Sequence, residues 1–432
     1  MKRNLVTQPI LRPLVAGAVL AALAIPAGAV DLKTADGSWT FSIDGEVNVD
    51  YIFSHCEDPG SAVAINGGLT CVGSSTNGNN VSNIGNGLLP AAFTFGVSTT
   101  QDGIDLAAHL GLYPGIATND GGSPNLQTGN GPTNSALGTT GLDIRQVYMT
   151  FGNKDMGTFT LGRNIGLFGA DIILNDMTLP GVGAPGSAAG PAPSNTTLGG
   201  IGFGYIYTDW LAQIDYTTPD LAGFAVTVGA FDPINSLGDP GTTEAKKAPG
   251  FHAKITYTLP IAEGTKLYLS ASALSQQQDY TTAPATGYSY TGTGADLFAK
   301  FDLQDLELIG YYYHAKGLGT TALFDGGAFS GGGVFGQTRT SSGYLGQVTY
   351  KFGPVKLGAN YGASILDYAS AIDQFTNPNL VSSNRKGTLG VYYSLTKNLM
   401  LLAEASRVKS EAQNDLGSNQ ATTFNIGAYL GF

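Results

Sequence analysis

The chain has 432 residues, of which 62 are Gly, 21 are Tyr and 20 are Phe, while only 12% are charged. Its 32 Asp and Glu residues outnumber its 21 Lys and Arg residues and give a net charge of −11, which argues against a nucleic-acid-binding surface. No apolar run reaches the roughly 20 residues that a transmembrane helix needs, so a helical membrane protein is excluded.

The first element in chain order is a predicted signal peptide, residues 1–29. A short apolar run, 14–25, is followed by a helix-breaking proline and by the small residues 27–29, which form a cleavage site. The basic residues that precede or border this run are Lys2, Arg3 and Arg12. The mature chain is therefore expected to begin at Val30 and to be more acidic than the precursor.

The residues after the predicted signal peptide show the alternating pattern of β-strands. In residues 39–53, apolar and aromatic side chains alternate with polar and acidic ones, as expected when one face of a strand meets lipid and the other meets water. The last segment, 424–432, alternates in the same way and ends on an aromatic residue. The same pattern predicts fourteen strands between these two, at 93–99, 104–112, 142–151, 158–161, 210–216, 223–231, 251–259, 266–273, 296–301, 306–313, 344–352, 355–363, 388–395 and 399–405.

The connections between these strands alternate in length, which is a second signature of an outer-membrane barrel. Short turns, expected on the periplasmic side, are predicted at 101–103, 153–157, 219–220, 304–305, 353–354 and 396–398. Long connections, expected outside except for one that folds inward, are 54–90, 114–141, 165–200, 232–249, 275–294, 315–342 and 364–385. A soluble sandwich or solenoid also alternates, but aromatic residues near both ends of the strands favour an all-β transmembrane antiparallel β-barrel of about 16 strands over residues 30–432.

The two cysteines, Cys56 and Cys71, lie in or next to the first long connection. An exported chain passes through an oxidising compartment, so we expect one disulfide that closes a short loop. A redox or metal-binding pair is the alternative, but the CxxC spacing is absent and only His55 is nearby.

Motifs of enzymatic chemistry are missing from the sequence. It contains no Gly-x-Ser-x-Gly, no His-Glu-x-x-His, no phosphate-binding loop and no dinucleotide fingerprint. The four histidines fall in different predicted strands or loops. We therefore predict no catalytic residue, no metal site and no cofactor.

A resemblance to a known family rests on residues 144–180, IRQVYMTFGNKDMGTFTLGRNIGLFGADIILNDMTLP. This stretch resembles the strand, turn, strand and start of the third loop of the Gram-negative general diffusion porins. Residues 214–224 are similar to that family's turn after the loop, and the chain ends on an aromatic residue, Phe432. The positions that match in the first stretch are Arg145, Gly157, Phe159, Gly162, Arg163, Asn164, Asp176, Pro180 and Gly181.

The resemblance implies a homotrimer in the bacterial outer membrane that lets small hydrophilic solutes and ions diffuse passively. Its third loop, 165–200, would fold into the barrel and narrow it. Asp176 and, more loosely, Asp171 would be loop acids that face a basic wall including Arg145. The barrel-assembly machinery would read Phe432. The family often has a carboxylate where Gly181 stands, so the resemblance leaves cation or anion preference open.

Strand parity predicts which other basic side chains face the lumen, because alternate residues point to opposite faces. The residues assigned to the lumen in this way are His252, Lys254, Lys300 and Lys351. Arg145 is ambiguous, since it shares parity with the apolar residues Val147 and Met149: either these face inward, or Arg145 does not line the pore.

Arg163 shares parity with Phe159 and Leu161. An arginine that faces lipid at mid-depth costs roughly 2–4 kcal/mol, so we predict that Arg163 lies at the outer rim or in a subunit interface.

Two other classes of function stay open. A substrate-specific channel would bind its solute saturably along a ladder of aromatic residues, for which Tyr311, Tyr313 and Tyr429 are the inward candidates. A structural or adhesive barrel would be plugged.

Overall fold

The computed structural model describes residues 30–57, 64–71, 79–116, 142–185, 196–236, 243–244 and 247–432. The predicted signal peptide and parts of several predicted loops lie outside these residues. Within them, no helix is long and apolar enough to cross a membrane.

Sixteen antiparallel strands close into a barrel, as predicted. Each strand pairs with its neighbours in the chain, and the first strand pairs with both the second and the last, which closes the sheet. In chain order the strands are β1 Trp39–Glu57, β2 Ala92–Gln101, β3 Ile104–Pro114, β4 Leu142–Asn153, β5 Gly157–Ile165, β6 Trp210–Thr217, β7 Phe224–Phe231, β8 Gly250–Ala262, β9 Thr265–Tyr280, β10 Ser289–Leu303, β11 Leu306–Lys316, β12 Thr340–Phe352, β13 Val355–Leu366, β14 Val381–Ser394, β15 Leu399–Ala412 and β16 Ser418–Gly431.

Alternation along each strand separates an apolar outer face from a polar inner face. On β16, Phe424 and Ile426 are exposed on the outside, whereas Thr423 and Asn425 are buried inside. The end of the barrel that carries the short connections, such as 353–354, is called the short-turn end below, and the sequence predicts that it is periplasmic.

The remaining elements are short and lie at the ends of the barrel or inside it. In the described part of the chain, the helices are α1 Ala170–Asn175 and α2 Ala371–Thr376, and both belong to long connections. The other elements are short strands at Val30–Lys33, Asn80–Gly85, Thr243–Glu244, Ala328–Gly331 and Val334–Thr338, and a 3-10 turn at Gln413–Asp415.

Several long connections fold into the barrel and share an apolar cluster there. The connection between β5 and β6 contributes Phe168 and Ile172, the one between β1 and β2 contributes Leu89, and the one between β11 and β12 contributes Leu318 and Phe324. These side chains are almost fully buried, so this part of the interior is packed like a protein core.

The predicted disulfide between Cys56 and Cys71 is confirmed, with the two Cα atoms 5.5 Å apart. It ties the end of β1 to residues 64–71, which lie against β15, two strands away in the closed sheet. There the backbone N–H groups of Leu69 and Thr70 donate to Ser410 Oγ at 3.0 and 3.1 Å. The bridge therefore helps to hold this segment against the inner side of β15.

We expect the C56S/C71S variant to remain a folded barrel but to be cleaved faster within residues 64–71 by an added protease. The ring closed by the bridge spans 15 residues, and such a link contributes roughly 3 kcal/mol by restricting the open chain. Reduced wild-type protein should behave like the variant. Equal cleavage rates for oxidised wild type and variant would contradict this role.

Candidate functional site

The connection between β5 and β6, residues 166–209, is called the inner loop. It begins at one wall of the barrel and reaches the opposite wall, where Glu404 on β15 receives its tip. Glu404 Oε2 accepts the backbone N–H groups of Val182 and Gly183 at 2.8 and 2.9 Å. The loop is therefore longer than the predicted 165–200 and crosses the lumen; its residues 186–195 lie outside the described part of the chain.

The first part of the inner loop carries α1 and follows the wall formed by β8 to β10. Gly169 has a left-handed φ of 75°, and its N–H donates to Asp296 Oδ2 at 2.7 Å. Asp171 accepts from Lys254 Nζ at 2.9 Å and from Tyr268 Oη at 3.1 Å, and it also contacts Ser270 Oγ. The predicted loop acid Asp171 and the predicted wall base Lys254 are thus direct partners.

Asp176, the other predicted loop acid, is buried with 3% of its surface exposed. It accepts hydrogen bonds from the backbone N–H of Thr178 at 2.9 Å, from Tyr205 Oη at 2.9 Å and from Asn360 Nδ2 at 3.2 Å. None of these partners is a base. These bonds fix the inner loop, and Asp176 also lines a cavity beside the loop.

Arg145 faces inward because β4 contains a bulge. Gln146 pairs with Gly111 and Ile144 pairs with Leu112, so Arg145 is the extra residue, and both it and Gln146 are buried inside. The bulge resolves the parity conflict, since Val147 can remain on the outer face. The guanidinium lies 3.2 Å from Asp143 Oδ2 and 5.1 Å from the ring centre of Tyr113.

The inner loop ends next to this arginine, at Asp209. The Asp209 side chain accepts the N–H of Trp210 at 2.6 Å and is 4% exposed. Burial raises the pKa of Asp209 to about 7, against the opposing effects of the hydrogen bond from Trp210 and of the charges on Arg163 and Arg145.

Two cavities flank the inner loop, and Leu174 lines both. The larger, of about 450 Å³, has a predominantly acidic lining: its carboxylates and nitrogen bases are Asp44, Glu46, Asp171, Asp215, His109 and Lys254. The smaller, of about 300 Å³, has a lining with more lysines, and its charged residues are Asp176, Glu307, Lys300, Lys351 and Lys356. The interior therefore presents opposite charge on the two sides of the loop.

The other predicted wall bases occupy different depths of the lumen. His252 is buried, and its Nε2 lies 2.8 Å from Asp215 Oδ1. Lys300 contacts both Asn175 of the inner loop and Glu307 of β11. Lys351 lines the smaller cavity next to the last residue of β12, at the short-turn end.

Arg163 lies on the outer face, opposite Val147 of β4 and Ala212 of β6. Its Nε donates to the carbonyl of Ile144 at 3.2 Å. Phe432 also lies on the outer face, with its ring centre 5.5 Å from that of Phe93 on β2.

Sequence reasoning missed three functional candidates, Asp296, Lys356 and Glu404. Asp296 and Glu404 fix the inner loop, and Lys356 lines the smaller cavity. Parity could have found Lys356, because its neighbours Val355 and Leu357 belong to the apolar face of β13. No local sequence pattern identifies Asp296 and Glu404 as the residues that anchor the inner loop.

A closed barrel of sixteen strands with an apolar outer face, a polar lumen and a long loop inside it is the architecture of an outer-membrane channel. A family model described as Gram-negative porin matches residues 16–413, and the chain belongs to this family. It is an outer-membrane protein that forms a channel for diffusion. No curated protein matches the chain by sequence.

Solved structures of outer-membrane proteins share the fold at low identity. The outer-membrane channel DcaP of Acinetobacter baumannii has 16% identity and a TM-score of 0.67, with 93% of this chain and 99% of that chain covered. The trimer form of OmpT of Vibrio cholerae has 14% identity and a TM-score of 0.52, with 91% and 100% covered. OmpF of Salmonella typhi has 12% identity and a TM-score of 0.54, with 93% and 100% covered.

Proposed function

We propose that the inner loop sets the size limit for small hydrophilic solutes and ions that diffuse through the barrel. The observation that carries this proposal is the position of the loop: Asp296 holds its start and Glu404 holds its tip at the far wall. A loop that is tied at both places cannot swing aside as a solute passes. Solutes would pass beside it, through the spaces on either side of Leu174.

We further propose that the larger cavity favours cations. Its lining holds the carboxylates of Asp44, Asp171 and Asp215 and the fully buried Glu46, against one lysine and one histidine. In a narrow space with low-dielectric walls, such an excess of one sign raises the local concentration of counter-ions. The one lysine in this lining, Lys254, already forms an ion pair with Asp171.

We expect the D171N variant to shift the reversal potential toward anion selectivity in bilayers with a KCl gradient. Neutralising Asp171 removes one negative charge from the larger cavity and leaves Lys254 without its carboxylate partner. D155N is the matched control, because Asp155 is exposed in the turn between β4 and β5. A D171N channel with the wild-type reversal potential would contradict the proposal.

The D176N variant should instead disturb the inner loop, since Asp176 is buried among neutral hydrogen-bond donors.

Diffusion explains the lumen better than a ladder of aromatic binding sites. The inward candidates Tyr311, Tyr313 and Tyr429 are buried in the apolar cluster, with 5%, 0% and 1% of their surface exposed. None of them lines either of the two cavities described above. Their rings are therefore not presented to a passing solute. We assign no catalytic reaction, metal or cofactor to the chain.

A homotrimer is part of the proposal. The OmpT relative is described as a trimer, and Arg163 stands on the outer face of this barrel, where a subunit interface would shield it from lipid. Assembly by the barrel-assembly machinery through Phe432, and export by the signal peptide 1–29, complete the proposed route to the outer membrane.

A further inference from the structure

Two lysines of the smaller cavity face each other directly across a pair of strands. Lys351 on β12 and Lys356 on β13 are cross-strand partners, and both line the cavity of about 300 Å³. Like charges in this position destabilise a sheet. Among the residues that the structure describes, neither ammonium group forms a close ion pair with a carboxylate, and Glu307 and Glu404 act on Lys356 only from a greater distance.

The side chain of Lys356 is held in place. Its Nζ lies 4.8 Å from the ring centre of Tyr392, and the hydroxyl of Tyr392 in turn donates to Glu404 at 2.6 Å. A cation over an aromatic face is stabilised there. Lys356 is thus fixed opposite Lys351 and does not extend away from it.

The other charges of this cavity have partners already. Lys300 Nζ lies 2.6 Å from Glu307 Oε2 and donates to Asn175 Oδ1 at 3.1 Å. Asp176, the remaining acid, accepts four hydrogen bonds from neutral groups. The two facing lysines are therefore the charges left for a ligand.

Polar groups suited to oxygen-rich anions complete the lining. Ser394 and Thr349 contribute hydroxyls and Gln347 contributes an amide, although that amide also contacts the inner loop. Ammonium and hydroxyl groups donate hydrogen bonds to carboxylate or phosphate oxygens, and the bonds are stronger when the partners are charged.

We propose that this cavity is a binding site for a small oxyanion, a solute that carries a carboxylate or phosphate group. The proposal rests on the channel function above and deepens it, because it names a solute class for one side of the inner loop. In a chain with a net charge of −11, such a site gives anions a local point of attraction near the short-turn end. The acidic cavity on the other side of Leu174 would favour cations.

The test uses the full mature protein in planar bilayers with KCl on both sides. Inorganic phosphate or succinate is added from the short-turn side while the single-channel current is recorded. For the wild type we expect a saturable fall in current. For K351Q/K356Q we expect the half-maximal concentration to rise about tenfold, which corresponds to about 1.4 kcal/mol.

The matched control is K397Q, since Lys397 is exposed in the turn between β14 and β15 at the same end and does not line the cavity. A response to phosphate alone or to succinate alone narrows the ligand to that group and supports the site. A wild-type channel that conducts but responds to neither anion, or a double variant that responds like the wild type, overturns it. Absence of any ion current overturns the channel function instead.

A second measurement is independent of conductance. Phosphate or succinate should raise the thermal unfolding temperature of the wild type and of K397Q, because a ligand that binds only the folded state stabilises it. K351Q/K356Q should show a smaller rise. An equal rise in all three proteins would overturn the site.

Discussion

The E404A variant is expected to conduct more than the wild type and to admit larger sugars. Glu404 is 4% exposed and accepts the N–H groups of Val182 and Gly183 as well as the hydroxyl of Tyr392. Each buried donor that loses its acceptor costs about 1–3 kcal/mol. The tip of the inner loop should therefore detach from β15 and widen the passage.

The measurement is single-channel conductance together with the rate at which liposomes swell in sugars of increasing size. E404Q keeps one acceptor oxygen and should stay near the wild type. E411A is the matched control, because Glu411 lies on the same strand but contacts Lys409, Arg385 and Ser383, none of which belongs to the inner loop. If E404A has the wild-type conductance and size limit, Glu404 does not hold the loop.

The strands were predictable because the signal that defines them is local. Whether Ile426 faces out and Asn425 faces in depends only on the alternation along β16, and that alternation is visible in the amino-acid sequence. The closure of the barrel then follows from the even number of strands and the alternation of short and long connections. All sixteen predicted strands lie within observed ones or overlap them closely.

The lumen was less predictable because its contacts join distant parts of the chain. Val182 and Glu404 are 222 residues apart, and no periodicity marks them as partners. Arg145 shows a second limit: a single extra residue in β4 reverses parity, so alternation alone places this side chain on the wrong face. Asp176 shows a third limit. Its sequence motif indicates an acidic residue in the loop, but it does not indicate that Tyr205 and Asn360 will donate hydrogen bonds to it.

The first strand and the end of the last strand meet at Gly45 and Phe432. Gly45 N donates to Phe432 O at 2.9 Å, and Phe432 N donates to Gly45 O at 3.0 Å, so the terminal residue pairs with β1. A Cβ at position 45 would lie 2.9 Å from Phe432 Cζ and closer still to the carbonyl of Ala92. The aromatic ring therefore occupies a space that exists only because residue 45 is glycine.

We expect G45V to reduce the yield of assembled barrel strongly, both in cells and on refolding in detergent. Inserting carbon atoms into a filled site typically costs about 1–3 kcal/mol, and here the cost falls on the strand pair that closes the barrel. G346V is the matched control, since Gly346 is an exposed strand glycine with no atom within 4 Å of an added Cβ. The measurement is the heat-modifiable shift of the folded barrel on a gel.

Deleting Phe432 distinguishes two roles of this residue: the pairing with β1 that closes the barrel, and recognition by the assembly machinery. If the residue mainly completes the strand pair, the deletion should lower the yield of refolding in detergent, where no machinery is present, to the same degree as G45V. If it mainly serves recognition, the deletion should fail only in cells, whereas G45V, which keeps the terminal aromatic, should fail in both settings. Normal assembly of both variants in cells would remove any role for this contact, because the barrel would then close without it.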